Sequence, residues 1–220
     1  MNIWLKIIVT LLIVAIIGGQ LCKLTFLDAG LGDLSTYEQA YKLDSRIDAI
    51  WTEDNNNNFE PFIESYISEA DAPIIIVGTA TGKINQSNFS FGQEISIDKI
   101  IKGDGDLLNQ KTFVYNTYGF NASREGEGIA YYDLKNIMKP GDQYLLFMSL
   151  NHILDNEVYL LENGYFSYIN LSGMTSSIIS TPLPELRLSQ VKDIEFFSTS
   201  QSVLDAILII KKGIVDKYIQ

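Results

Sequence analysis

From Ile7 to Gly19 the chain reads IIVTLLIVAIIGG, a run without a single charge. With Ile3, Trp4, Leu5, Leu21 and Cys22 around it, about 20 residues are broken only by Lys6 and Gln20. At about 1.5 Å of rise per residue, a helix of that length crosses a hydrocarbon core of about 30 Å, with Lys6 snorkelling to the headgroups. The segment is apolar on all sides rather than on one stripe, which argues against a helix of a globular core. Ile7, Ile8, Val9, Leu11, Leu12, Ile13, Val14, Ile16 and Ile17 would lie against lipid, and Trp4 stands where interfacial aromatics gather. The first expectation is therefore a retained signal-anchor over residues 1–24, with Lys6 and the α-amine inside and the rest exported. Two other readings remain open. A cleaved signal peptide would be cut after Ile17-Gly18-Gly19, and secretion would follow. Lipidation of Cys22 is the third, weakened because Gly19-Gln20-Leu21 puts no small residue directly before the cysteine.

An anchor at one end leaves just under 200 of the 220 residues, enough for one domain with a sizeable core. Lys6 and Lys23 flank the apolar run, so the remainder keeps 14 of the 16 basic residues against all 27 acidic ones. Such a domain is repelled by phosphate backbones and anionic lipid headgroups, which excludes nucleic acid as an expected partner. Cys22 is the only cysteine, so no internal disulfide and no Cys-based metal site or nucleophile is available to the domain.

The exported part opens with helical signals. Ser35-Thr-Tyr-Glu38 reads as a capping box, and Tyr37, Ala40, Tyr41, Leu43 (less well placed), Ile47 and Ile50 recur at helical spacing as far as Trp51. An Asn-rich loop follows at 52–58, then a short helix over 59–68. Pro73 marks the switch to extended chain. Ile74 to Val77 is a continuous apolar run, as in a strand buried on both faces. Phe89, Phe91, Ile95, Ile97 and Ile101 alternate with Ser90, Glu94, Ser96 and Asp98 in a second strand. A turn at 102–106, a strand at 112–118, and Pro140-Gly-Asp142 leading into a strand at 143–148 come next. Val158–Leu161 and Tyr165–Ile169, joined through Glu162-Asn-Gly164, predict a hairpin. The tail predicts a helix, opened by Ser198 with Gln201 and striped by Val203, Leu204, Ile207, Leu208, Ile210, Ile214 and Val215. Asp205, Lys211 and Lys212 make it a packing helix rather than a second membrane span. Strands joined mostly by turns imply an antiparallel sheet closed into a small barrel.

Three motifs in this order carry a resemblance: Ile76-Val-Gly78-Thr-Ala-Thr81, then Ile95-Ser-Ile-Asp-Lys-Ile-Ile-Lys-Gly-Asp104, then Met138-Lys-Pro-Gly-Asp-Gln-Tyr-Leu-Leu-Phe147. Together they resemble the OB-barrel pattern of netrin-like domains and tissue metalloproteinase inhibitors, and equally that of small uncharacterised exported bacterial proteins. The resemblance spans roughly Ala70 to Asn170 and implies a small antiparallel OB-like barrel. The inhibitors' function does not come with it, because they wedge a free N-terminal cysteine onto a protease zinc and brace it with disulfides. The expected fold class is thus mainly β, an OB-like barrel flanked by α-helices and preceded by one N-terminal transmembrane helix. Its expected organisation is an anchor at 1–24, a helical lead-in at 25–69, the barrel at 70–170, and a linker with an amphipathic helix at 171–220.

Few constellations offer chemistry. His152 has no second His or Cys to complete a zinc site, and no Ser in a nucleophile-elbow sequence to serve as base for. Asp104, Asp106 and Asn109 could supply oxygen to calcium, but the EF-hand spacing is absent and a turn explains them. No pair among the acids stands out as a glycosidase pair. No catalytic residue, metal or cofactor is expected. The glycine-rich stretch GFNASREGEGIAYY, from Gly119 to Tyr132, reads as a mobile connector or a binding loop; in the second reading Tyr118, Phe120, Arg124, Tyr131 and Tyr132 contact the ligand. The sequons at Asn85, Asn88, Asn121 and Asn170 matter only in a glycosylating pathway. The expected function is a membrane-tethered extracytoplasmic or envelope-associated module binding a protein or glycan. The alternatives are a hydrolase using carboxylates and an assembly subunit pairing through an edge strand.

Overall fold

A computed structural model of the chain describes residues 31–33, 42–43, 59–86, 91–103, 105–116, 120–122, 129–131, 135–153, 156–162, 164–179, 188–198 and 200–219. The apolar segment at 1–24 and the Asn-rich loop lie outside these residues. So does most of the helix expected from Ser35 to Trp51. At Lys42–Leu43 the structure has a two-residue strand, β2, where that helix was expected; a parallel ladder with Ala130 and Tyr131 overrides a helical period that is weak at Leu43. Among the described residues no helix is long and apolar enough to cross a membrane.

Two short elements precede the barrel. Strand β1 spans Leu31–Asp33, and helix α1 spans Glu60–Glu69 with a proline in its first turn, where a missing N–H costs nothing. Five strands then close a ring: β3 (Ile74–Gln86), β4 (Phe91–Lys102), β5 (Lys111–Asn116), β8 (Gln143–Ile153) and β9 (Asn156–Leu161). Around it β3 pairs β4, β4 pairs β5, β5 pairs β9, β9 pairs β8 and β8 returns to β3. Four of these pairs are antiparallel, while β5 and β9 run parallel through Val114↔Tyr159 and Tyr115↔Leu160. The barrel is therefore mixed rather than wholly antiparallel. An odd number of strands in a closed ring cannot alternate direction everywhere, so one parallel pair is unavoidable. Between β5 and β8 a small hairpin of β6 (Phe120–Ala122) and β7 (Ile129–Tyr131) stands apart and pairs with β2.

The hairpin expected between 158–161 and 165–169 does not form. Instead β9 and β10 (Tyr168–Asn170) both lie antiparallel to β8, one after the other, separated by a single 3₁₀ turn at Gly164–Phe166. Gly164 takes the left-handed φ of +53° that opens this turn. The edge of the long strand β8 offers two successive partners more than a local turn could.

Two apolar layers explain the runs of consecutive hydrophobics. Ile74, Ile76, Ile95, Ile97, Val114, Tyr144, Leu146, Met148 and Leu161 fill the barrel. Ile75, Leu145, Phe147 and Ile169 point outward from the same strands into a second cluster. That cluster is roofed by α1, by Val191 of the short helix α2 (Leu188–Val191), by β12 (Ile194–Ser198) and by α3 (Gln201–Ile219), which buries Val203, Leu204, Ala206, Ile207, Ile210 and Ile214. Neither β12 nor its parallel partner β11 (Thr175–Ile178) is registered by the sequence reading. Leu208, expected in the buried stripe, is exposed beside Ile209, because the helix turns its 203–207–210–214 face to the barrel. Ser198 does not close the expected capping box: its hydroxyl accepts from the Ser200 N–H, and Gln201 donates to Asp205. Lys217 braces α1 against α3 by donating to the carbonyls of Ile67, Ser68 and Ala70 at 2.9–3.2 Å.

Phe147 joins the layers, with no exposed surface and an edge-on contact to Tyr218 at 5.5 Å. Phe147→Ala is expected to lower stability by about 3–5 kcal/mol in urea unfolding followed by circular dichroism. A loss under about 1 kcal/mol would contradict a helical roof packed on this strand.

Candidate functional site

Two groups of polar side chains stand out, and they differ in accessibility. The first is buried between barrel and roof. Glu195, on β12 with 1% of its surface exposed, accepts from the Asn170 backbone N–H at 2.6 Å and pairs with Lys211 of α3 at 2.5 Å. Asn170 is itself buried: its amide donates to Asp142, and its oxygen accepts from the N–H groups of Ser172 and Met174. Lys135, with no exposed surface, donates to Ser167 and lies 3.5 Å from the centre of the Tyr168 ring. Burial pushes the Glu195 carboxyl above its ordinary range, although Lys211, the Asn170 N–H and Lys135 all pull it down. Glu195, Asn170 and Lys135 are all buried, and their partners named here are groups of the protein. The arrangement ties β10, β12 and α3 together and is structural.

The second group lies on the outside of the barrel. The roof covers β3, β8 and β10, whereas the outward side chains of β4, β5 and β9 keep accessible surface: Ser96 and Asp98, Lys111, Phe113 and Tyr115, Val158 and Leu160. Gly92 faces Tyr115 across the strands. A β-carbon at Gly92 would fall 2.6–3.0 Å from three atoms of the Tyr115 ring, so the ring lies across the bare backbone of β4. On the far side its hydroxyl accepts a 2.8 Å hydrogen bond from Asn85 of β3. Partial burial pushes the Tyr115 phenol above its ordinary pKa, with the Asn85 contact pulling the other way. Phe113 sits 6.4 Å from it, tilted by 40°. Next to Phe113 in register, Glu94 accepts from Thr81 at 2.8 Å and lies 3.7 Å from Lys83. Asp98 accepts from Thr79 at 2.6 Å and from Gln143 at 3.1 Å.

Of the residues expected in the binding loop, Phe120 and Tyr131 are cross-strand partners in the β6–β7 hairpin, whose first strand is the next described element after β5. Tyr118, Arg124 and Tyr132 lie outside the described residues. Backbone pairing places His152 opposite Glu157 near the β8–β9 turn. Among the described residues no three His, Cys, Asp or Glu side chains gather where a metal ion could be held. Asn170 is 2% exposed, which removes it as a glycosylation acceptor in the folded chain. The sequence reading passed over Tyr115 and Gly92, although a glycine inside a strand pattern signals close approach by another group. No protein-family model matches this chain, and no curated protein matches it.

The buried pair makes a pH-dependent prediction. Removing Lys211 takes away a cause that lowers the Glu195 pKa, so the folded state would hold its proton more tightly still. A raised carboxyl pKa stabilises below the unfolded value of 4.5, and that contribution is lost as pH climbs through the folded value. Lys211→Met is therefore expected to cost about 3–5 kcal/mol at pH 8 and distinctly less at pH 5. Equal losses at both pH values in denaturant titrations would contradict a charged, buried Glu195.

Proposed function

We propose that this chain is a non-catalytic binding module, held at an extracytoplasmic membrane surface by its N-terminal segment, that takes its ligand on the outer face of β4, β5 and β9. The observation that carries this reading is the one-sided roof. Packing occupies the outside of β3, β8 and β10, while the aromatic and aliphatic side chains Phe113, Tyr115, Val158 and Leu160 stay half accessible opposite it. Unroofed aromatics on a rigid sheet suit recognition better than stability.

Strand order supports the finer reading of the barrel as OB-like. Counting only ring strands, the order is first, second, third, fifth, fourth, with the parallel pair between third and fifth. Barrels of that kind take ligands on the face of their second and third strands, here β4 and β5, and on the loops that follow their first and fourth strands. The tether rests on the uncharged run from Ile7 to Gly19 and on its length. A protein or glycan at the envelope surface fits a chain of net charge −11 better than a nucleic acid does.

A photo-cross-linking residue placed at exposed Lys111 in the membrane-bound chain is expected to give adducts, whereas one at exposed Asp205 on α3 gives none. Adducts from Asp205 alone would move the ligand face to the roof. Protease added outside intact cells is expected to digest the domain, and protection would overturn the exported placement.

A further inference from the structure

Building on that ligand face, we infer that Tyr115 is a stacking platform for the ring of a neutral saccharide. Its ring is fixed at both ends: the Cα end by β5, the hydroxyl end by the 2.8 Å hydrogen bond from Asn85 on β3. Between them it crosses β4 at the one position where the strand carries no side chain, and any β-carbon at Gly92 would collide with it. The ring is thus laid against the sheet and cannot swing out without losing Asn85. It keeps accessible surface, as do Phe113 two residues back along the strand and Leu160 in register with it. A flat, pre-positioned aromatic surface offers contact area at little entropic cost on binding.

The charges of the face decide the ligand class. Glu94 is already answered by Thr81 and Lys83, and Asp98 by Thr79 and Gln143. Both acids in this group are engaged within the face, Lys83 and the exposed Lys111 bring two positive charges against their two negative ones, and the chain as a whole carries −11 and repels polyanions. The face therefore presents aromatic surface bordered by hydroxyl, amide and paired charge. A ligand that is uncharged, apolar on one flat side and rimmed by hydroxyls complements that arrangement, and a saccharide ring has those properties.

The test uses the full chain in zwitterionic lipid nanodiscs, with cellotetraose and chitotetraose as probes in saturation-transfer NMR, and a heparin tetrasaccharide and spermine as charged counter-probes. Magnetisation is expected to pass to the ring protons of at least one neutral tetrasaccharide. Tyr115→Ala is expected to weaken binding about tenfold, as loss of a stacking contact of this size implies. Tyr115→Phe, which keeps the ring but gives up the hydrogen bond from Asn85, is expected to weaken binding by less than Tyr115→Ala. Should Tyr115→Ala fail to fold, Asn85→Ala releases the ring without removing it and is expected to weaken binding in the same direction. Binding of neither tetrasaccharide, or binding that Tyr115→Ala leaves unchanged in a folded protein, overturns the platform. Tyr115-dependent binding of heparin or spermine alone overturns the saccharide while leaving the ligand face standing. Silence from every probe together with no adducts at Lys111 overturns the ligand face itself.

Discussion

Residues 135–139 run buried between the barrel and its roof, and side chains supply most of the hydrogen bonds that a sheet would otherwise give this backbone. The Gln93 amide pairs with both the N–H and the C=O of Met138, each at 2.9 Å. Tyr168 donates its hydroxyl to the Asn136 carbonyl, and Tyr144 accepts from the Lys139 N–H. From the other side, the Asn136 N–H meets the Glu195 carbonyl, and its side chain donates to the carbonyls of Val191 and Ile194. An unpaired buried peptide group costs about 1–3 kcal/mol, so this segment could not lie there without those partners. Once it does, barrel interior and roof share one wall, and the roof's position on β3, β8 and β10 is set.

That position distributes the rest of the molecule. A strand covered on both faces must be apolar at consecutive residues, which is what Ile74–Val77 and Leu145–Met148 are. A strand covered on one face can alternate, and β4 does so where Glu94, Ser96 and Asp98 separate Ile95 and Ile97. The difference between the two strand types thus already says which side of the barrel is roofed and which is left open.

The sequence was legible where its pattern had a local cause. Helix α1, the strands opening at Ile74, Lys111 and Gln143, and the turn at Pro140-Gly141 follow from proline, glycine and alternation. It was illegible where the cause was distant. Nothing near Leu161 says that the chain will continue along β8 rather than turn back, since β8 itself supplies the reason. Strand β12 hid because Glu195 interrupts its apolar residues, and only Lys211 and the Asn170 N–H make that carboxylate tolerable inside. The site shows the same division. The loop from Gly119 to Tyr132 drew notice through composition, whereas Tyr115, Asn85 and Gly92 sit on three different strands and become one feature only when the sheet aligns them.

The two polar groups of this protein therefore follow opposite rules. Glu195 is buried while its partner Lys211 keeps 19% of its side chain exposed, so truncating Lys211 would leave the carboxylate stranded in apolar surroundings, and the pair fixes how roof and barrel register. On the outer face the Lys83–Glu94 pair joins an exposed lysine to a mostly buried carboxylate that Thr81 also holds. What the outer face retains is shape: a tyrosine held flat over a glycine. A cross-strand aromatic of this kind adds up to about 1 kcal/mol to a sheet, as any well-packed pair does. Keeping it half accessible forgoes part of the burial that a roof over β4, β5 and β9 would have provided.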